Sequence, residues 1–523
     1  MKGTDNGRTF DFNDLFVFEM ANNHQGKIDH GKRIISEMGR IAKERNIRGV
    51  MKFQFRNLDT FVHPDQLGNK ENKHVQRFLS TRLSDEQFAE LIDETHRRNL
   101  SAMVTPFDED SVDLIERLGA DIVKVASCSA LDWPLLERIA ETGKPVIAST
   151  GGLSIAEIDR VVSFFQHRGV HFALMHCVAV YPTPCEKLHL NQIELLRNRY
   201  PELVVGFSTH EKPDDPNVIR VAYAKGARIF EKHVGIPTAE IVLNAYSANP
   251  KQIEAWLDSY KESVMSCGIS IDAAMHTGRP ITTEEKKDLF LLKRGVFAKT
   301  PLRKGGEIRR KDVFFAFPIQ DGQLSSGEFK DGTLADKDYE AKEAVSAGII
   351  SGGRLKRDII YSTVRAVRGM LNNARIPVGH EFRVELSHHY GISRFGEIGC
   401  VIIECINQEY AKKLIIQLPG QWNPVHYHKG KDETFQMLFG QLEVEIEGRK
   451  KVLFPGDTLW VPRGVWHGFG TTIGAIFEEV STTSRGGDSF YIDRKIANMN
   501  RDGRKTTLMN WGRHQFDDDN ERV

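Results

Sequence analysis

Five ionisable residues stand at the ends of short apolar runs in the first half of the chain. Glu19 follows LFVF, Lys52 lies in VMKFQF, Lys124 in DIVKVAS, His210 ends VVGFSTH, and His233 lies in RIFEKHV. Thr105, Ser127, Ser149 and Ser208 occupy the same place in neighbouring runs. Imidazole suits Mn, Fe, Zn or Co, and two protein ligands leave open positions for water and substrate. Two ammonium groups ringed by hydroxyls suit a small ligand that carries both phosphate and carboxylate. Packing gives no reason for a lysine in a buried strand, because an unpaired ammonium is costly there. Two other readings stand beside this one. The histidines can be hydrogen-bonded rim residues that hold no metal, and a lysine can form a Schiff base with a carbonyl substrate. The histidine pair weighs against the Schiff base, since a metal already supplies the electrophile. No GxxxxGK[ST] loop is present, so the phosphate is not expected to belong to a nucleotide.

A second constellation lies towards the C-terminus. His426 and His428 flank one residue in a predicted strand, which turns both to one face. Glu433 follows after a short turn, and His467 closes GDTLWVPRGVWH. Three histidines and one glutamate make a compact site for Mn, Fe, Ni or Zn.

The elements that must position these groups alternate along residues 1–275. Eight strand candidates, from LFVFEMA to RIFEKHV, are separated by amphipathic helical segments such as DEQFAELIDETHRR. Ser154 with Glu157 reads as a capping box at the start of one of them. Eight β-α units predict an α/β fold, a (β/α)8 TIM barrel, whose chemistry sits at the C-terminal ends of its strands. Residues 276–290 read as a polar linker and 291–358 as a small β-rich unit of short strands and turns. Residues 364–496 read as an all-β barrel, and 497–523 as a tail expected to fray or to dock weakly.

FEMANNHQGK, VMKFQ, VTPFDEDSVDLIERLGADIVKVAS, PVIASTGG, HCVAVYPTP, GFSTH and EKHVG together resemble the sialic acid synthase family, in family order. RGVFAKTPLRKGGEI resembles that family's antifreeze-like (SAF) domain. The resemblance implies condensation of phosphoenolpyruvate with a sugar aldehyde, giving a 2-keto-3-deoxy sugar acid and phosphate. It makes His210 and His233 ligands of a divalent metal, usually manganese. It makes Lys52, Lys124, Thr105, Ser127, Ser149 and Ser208 contacts of phosphoenolpyruvate, Glu19 the carboxylate beside the attacking water, and Gln54 and Tyr181 sugar contacts. It further implies a homodimer in which the antifreeze-like domain reaches the partner barrel. Departures fall on the sugar side. Ser129 and Ala179 replace a family Glu and Asn, and Phe317 stands where relatives have an Arg that contacts the N-acetyl group. The acid that follows the second histidine falls ambiguously on Glu240 or near Leu243 and Asn244. The expected substrate is therefore an aldose or aldose phosphate other than N-acetylmannosamine. The C-terminal stretches fit both cupin motifs, with Thr471 in place of the closing Asn, and resemble lyxose-isomerase-like sugar cupins. That resemblance suggests a sugar isomerase with Glu433 or Glu478 as proton shuttle, a sugar-binding module or an oligomerisation unit. A cupin-centred isomerase, epimerase or dioxygenase with the barrel as partner module is one alternative reading of the whole chain, and a non-catalytic sugar-sensing or scaffold protein is another.

Composition narrows the classes further. The chain has 523 residues, with 71 basic and 71 acidic side chains, so no general field favours nucleic acid or an anionic membrane. Six cysteines include no CxxC pair, and the N-terminus shows no signal-peptide pattern, so a cytoplasmic protein is expected. His24 is expected to cap a loop, His388 and His389 to lie at the surface, and Cys177 to be a core thiol. Trp466 is expected either to wall the cupin pocket or to pack in its core.

Overall fold

The computed structural model describes residues 10–67, 69, 71–268, 278–346 and 356–511. They belong to two compact units, Met1–Gly268 and Ile269–Val523. Among the described residues no helix is long and apolar enough to cross a membrane.

In the first unit eight parallel strands close a barrel in chain order. They are β1 (Leu15–Glu19), β2 (Arg48–Phe55), β3 (Ser101–Pro106), β4 (Ile122–Val125), β5 (Val146–Ser149), β6 (Phe172–Cys177), β7 (Val205–Thr209) and β8 (Ile229–His233). Strand periodicity sorts their side chains into layers. Leu15, Val17, Val50, Met103, Ile122, Ile147, Ala173, Met175 and Ile229 form an apolar core in the barrel interior, with Phe12 packed against it. Two residues further along the same faces stand Glu19, Lys52, Thr105, Lys124, Ser149 and Glu231. The lower barrel is thus a packed core, and the C-terminal end is where polar groups are admitted. Outward-facing residues such as Phe16, Phe18, Met51, Phe53 and Phe230 join the helices in a second, larger core. Two helices begin with the capping boxes Ser84/Gln87 and Ser154/Glu157.

Gly206 allows β7 and β8 to approach closely. A Cβ there would lie 2.6 Å from Ile229 Cβ and 2.7 Å from the Ile229 carbonyl oxygen. Gly206→Val is expected to destabilise the barrel by about 2 kcal/mol, the scale of core overpacking. A fall in the urea midpoint would read this out, and an unchanged midpoint would contradict so close an approach.

Within the segment expected as a linker, Thr283–Leu291 form a helix capped by Thr282. Four short strands follow, β9 (Gly295–Ala298), β10 (Glu307–Ile308), β11 (Val313–Ala316) and β12 (Thr333–Leu334). They surround a small core of Val296, Ala298, Ile308, Val313, Tyr339 and Val345.

Two antiparallel sheets then build the cupin. One orders β20-β17-β22-β15-β14-β13-β24 and the other β19-β18-β21-β16-β23. The strands are β13 (Val384–Ser387), β14 (Cys400–Asn407), β15 (Tyr410–Gln417), β16 (Trp422–Tyr427), β17 (Glu433–Gly440) and β18 (Leu442–Ile446). The remainder are β19 (Arg449–Leu453), β20 (Thr458–Val461), β21 (His467–Gly470), β22 (Ala475–Thr482), β23 (Phe490–Tyr491) and β24 (Lys505–Leu508). The helix Lys356–Asn373 supplies Ile359, Ile360, Val367 and Leu371 to one core, while Phe435, Met437, Val444, Phe469 and Phe477 form another.

Part of the tail is docked on the cupin sheet. β24 pairs antiparallel with β13, and Trp511 is buried with its indole N–H donating to the Gly379 carbonyl at 2.9 Å. Burial of Leu508 and Trp511, together with the β13–β24 ladder, helps to offset the freedom the segment loses. The final DDDNERV lies outside the described residues.

Candidate active site and metal centres

Register brings the barrel's charged groups together. Glu19 is the β-ladder partner of Lys52 on one side and of His233 on the other. The Lys52 ammonium contacts Glu19 and lies 2.6 Å from Glu231 Oε1. Lys124 lies 3.2 Å from Glu231 Oε2, and Ser208 Oγ donates to Glu231 Oε1 at 3.1 Å. All five side chains are buried. Burial opposes the charge on Lys52, but Glu19 and Glu231 outweigh it and hold its pKa above the ordinary lysine value. On Lys124 burial prevails over the attraction of Glu231, with Lys52 adding repulsion, and the pKa falls. Burial also opposes ionisation of Glu231, yet the two lysines keep it a carboxylate.

The hydroxyls stand around this quartet. Thr105 Oγ1 is buried without a hydrogen-bond partner in the structure, and Ser149 is buried at the end of β5. Ser127 Oγ accepts from the Gly151 N–H at 2.9 Å, tying the β4 and β5 loops together. Gln54 sits one strand repeat beyond Lys52 and accepts from Arg56 at 3.1 Å.

His210 and His233 face each other with ring centroids 5.4 Å apart. His210 Nδ1 lies 3.1 Å from the Val178 carbonyl, which can only accept, so its proton sits on Nδ1 and Nε2 keeps a free lone pair. Burial, then the neighbouring His233, lowers His210 to about 3, while burial and Lys52 lower His233 to about 3. Both rings are neutral near pH 7, the form that binds a cation. The donor set fits a metal with two protein ligands. Glu240 is exposed and contacts Lys27 at 3.5 Å, while Asn244 accepts from the Tyr246 N–H, so neither extends the pair. Tyr181, 53% exposed, packs on His210 at 4.3 Å. Tyr246, unremarked in the sequence, packs on His233 at 5.0 Å.

Glu231 is the group sequence reasoning missed. It lies in EKHVG two residues before His233 and therefore shares its face, a signal that was available. Lys232, adjacent to it, points elsewhere and pairs with Glu211 at 2.7 Å. His24 does cap its loop, Nδ1 accepting from the Gly26 N–H at 3.1 Å, and Cys177 is a buried thiol whose pKa burial raises.

The cupin centre is tighter. His426 and His467 are direct cross-strand partners, and the ligand atoms of His426, His428 and His467 all lie within 4.8 Å of one another. This is the one cluster of at least three potential metal ligands among the described residues. Each Nδ1 faces a backbone carbonyl: Pro424 at 2.9 Å, Asp488 at 2.6 Å and Val465 at 3.0 Å respectively. The three Nε2 lone pairs are thereby left to point inward. Glu433 approaches His428 Nε2 at 3.4 Å and His467 Nε2 at 3.1 Å. Glu433 Oε2 and His467 Nε2 are nevertheless buried without a well-directed hydrogen bond. Buried lone pairs converging in this way fit a divalent cation held by three imidazoles and one carboxylate.

A cavity of about 320 Å³ opens on this centre, lined in part by Phe435, Phe469, Tyr491, Lys413, Lys431 and Glu479. Glu479, not Glu478, lines this cavity together with Glu433. Glu479 contacts Lys431 at 2.9 Å and Lys413 at 3.1 Å, whereas Glu478 turns to the other face and pairs with Lys412. His388 and His389 are buried, contrary to the surface placement expected. His389 Nε2 lies 2.8 Å from Asn423 Oδ1, and His388 Nε2 lies 3.2 Å from Thr506 Oγ1 on β24. Trp466 packs edge-on to Tyr427 at 4.6 Å.

A parallel barrel with buried lysines and histidines at its strand ends is followed by a cupin with a histidine cluster, and both parts have known relatives. The NeuB family model matches residues 41–271, and a cupin domain model matches residues 414–475. The crystal structure of a putative spore coat polysaccharide biosynthesis protein E from Chromobacterium violaceum is 44% identical. It covers 64% of this chain and 99% of its own, with a TM-score of 0.61. An uncharacterized protein of Methanocaldococcus jannaschii is 30% identical over 307 residues, 58% of this chain and 85% of its own. The N,N'-diacetyllegionaminic acid synthase of Campylobacter jejuni is 26% identical over 344 residues, 63% of this chain and 98% of its own. This chain belongs to the NeuB family and carries a C-terminal cupin domain.

Proposed function

We propose that the barrel condenses phosphoenolpyruvate with a sugar aldehyde other than N-acetylmannosamine, releasing phosphate and a 2-keto-3-deoxy sugar acid. The observation that carries this reading is the meeting of Lys52 and Lys124 on Glu231 beside the His210–His233 pair. The two ammonium groups bind the phosphate and carboxylate of phosphoenolpyruvate, with Thr105, Ser127, Ser149 and Ser208 supplying hydroxyls. Glu19 and Glu231 fix the lysines, so little reorganisation accompanies the reaction. His210 and His233 would hold a divalent cation, which we assign as manganese, and bound there it would supply Lewis-acid polarisation of the aldehyde. C3 of phosphoenolpyruvate bonds to the aldehyde carbon, whose oxygen gains a proton, and positive charge develops at C2. Water adds at C2 while Glu19 accepts a proton, and collapse breaks the bond from C2 to the bridging oxygen, expelling phosphate. Gln54 and Tyr181 face the sugar. The altered positions Ser129, Ala179 and Phe317 support a sugar other than N-acetylmannosamine. A homodimer in the cytoplasm is the assembly and place that the resemblance supports. Loss of the enol absorbance should require both a divalent metal and an aldose; no loss with any member of a broad aldose panel would refute the condensation.

The cupin centre favours a second activity, interconversion of a ketose and an aldose. His426, His428, Glu433 and His467 would hold a divalent cation that would supply Lewis-acid activation of the sugar, and Glu479 stands in the same cavity as a carboxylate able to move a proton. His467→Ala is expected to lower bound metal by about one ion per chain in elemental analysis, and an unchanged content would contradict this centre. Deuterium exchange from solvent into C1 or C2 of a candidate ketose tests the isomerisation, and no exchange across a broad panel would remove it.

A further inference from the structure

The inward face of β2 continues beyond the residues assigned so far. Lys52 and Gln54 share one face of β2, and Arg56 follows just past the strand's last residue, Phe55, within hydrogen-bond reach of Gln54. Arg56 donates from Nη2 to Gln54 Oε1 at 3.1 Å. Its guanidinium is clamped between two rings, with the central carbon 3.6 Å from the Phe107 centroid and 4.2 Å from that of Phe78. Such a sandwich holds the planar group in place before any ligand arrives.

What Arg56 lacks is a counterion. Among the described residues no carboxylate lies within 4 Å of it, and its Nε is buried without a hydrogen bond. The nearby acids are engaged elsewhere. Asp108 accepts from the Asn57 and Ser111 N–H groups at 2.9 and 2.8 Å, and Glu19 contacts Lys52. Arg77, on the helix that carries Phe78, adds a second positive charge felt by both Arg56 and His233. Burial lowers the Arg56 guanidinium to about 10, which still leaves it charged at neutral pH. Arg56 is thus a half-buried cation held by two aromatic rings, bonded to Gln54 and without a carboxylate partner among the described residues.

We infer that the aldose condensed in the barrel carries an anionic group, phosphate or carboxylate, at the end remote from its aldehyde, and that Arg56 binds that group. The inference rests on the condensation proposed above and names the class of sugar it takes. Phosphoenolpyruvate's own anionic groups are met deeper, by Lys52 and Lys124, so Arg56 is left to the second substrate.

The test uses the full-length protein with manganese, phosphoenolpyruvate and matched sugars: mannose, mannose 6-phosphate and mannuronate, then arabinose and arabinose 5-phosphate. Enol loss and product mass give kcat/KM for each. The anionic member of a set should exceed its neutral counterpart by about 10–100-fold, the worth of one charge-assisted hydrogen bond. Phosphate against carboxylate identifies which anion is read. Arg56→Met keeps an apolar stem between the two rings and should bring the ratio within about threefold of unity. Arg56→Lys should retain an intermediate preference. Circular dichroism and phosphoenolpyruvate binding verify that each variant is folded. Preference for neutral aldoses, or a ratio unmoved by Arg56→Met, would overturn the inference while leaving the condensation standing. No enol loss with any sugar would remove the condensation and this inference with it.

Discussion

Replacing Lys124 with methionine lowers kcat/KM for phosphoenolpyruvate by about 100- to 1000-fold, corresponding to roughly 3–4 kcal/mol of transition-state stabilisation. The side chain is 2% exposed and its ammonium faces Glu231, so no solvent cation can take its place. Methionine keeps most of the stem volume, and the fold should survive, with Glu231 still held by Lys52 and Ser208. Steady-state kinetics on the folded variant measures the effect. A loss below about fivefold would show that Lys124 does not meet substrate.

Glu231→Gln should do comparable damage by a different route. Glu231 bridges two buried ammonium groups, and Lys52 retains Glu19 whereas Lys124 retains no carboxylate within 4 Å among the described residues. Removing one partner from a buried ion-pair network costs about 3–5 kcal/mol, because a charge is left uncompensated. Lys124 already titrates below its ordinary value through burial, and losing Glu231 lowers it further. Activity that needs the ammonium is present below that pKa and lost as pH rises through it. The alkaline limb of kcat/KM should therefore move to lower pH by about one unit or more, alongside a reduced denaturation midpoint. An unchanged limb and midpoint would mean that the carboxylate supports neither lysine.

Much of this site was legible because a barrel strand writes its inward face at every second residue. Val17–Glu19, Val50–Lys52, Ile122–Lys124 and Ile147–Ser149 each show an apolar residue followed by the polar one that reaches the rim. Glu231 obeys the same rule, but its importance lies between β2, β4 and β8, and no local pattern reports that convergence. The Glu478 and Glu479 exchange has a related cause. A shift of one residue reverses the face of a strand, and both are flanked by residues that suit either assignment. The docking of β24 on β13 was hidden for a different reason. Its contacts join residues 505–508 to 384–387, and a polar, charged context masked the two apolar anchors. The same strand contributes Thr506 to the burial of His388, whereas His389 packs against Asn423 and Tyr491.

The measurement that bears most directly on the barrel's chemistry uses phosphoenolpyruvate carrying oxygen-18 in the bridge between C2 and phosphorus, with manganese and an aldose that the protein accepts. If Lys52, Lys124, Glu231 and the histidine pair act as described, the label leaves in phosphate. The organic product then has the mass of phosphoenolpyruvate plus aldose plus water, less phosphoric acid. Label retained in pyruvate, with the aldose recovered unchanged, would mean that the barrel cleaves a phosphorus–oxygen bond and builds no carbon–carbon bond.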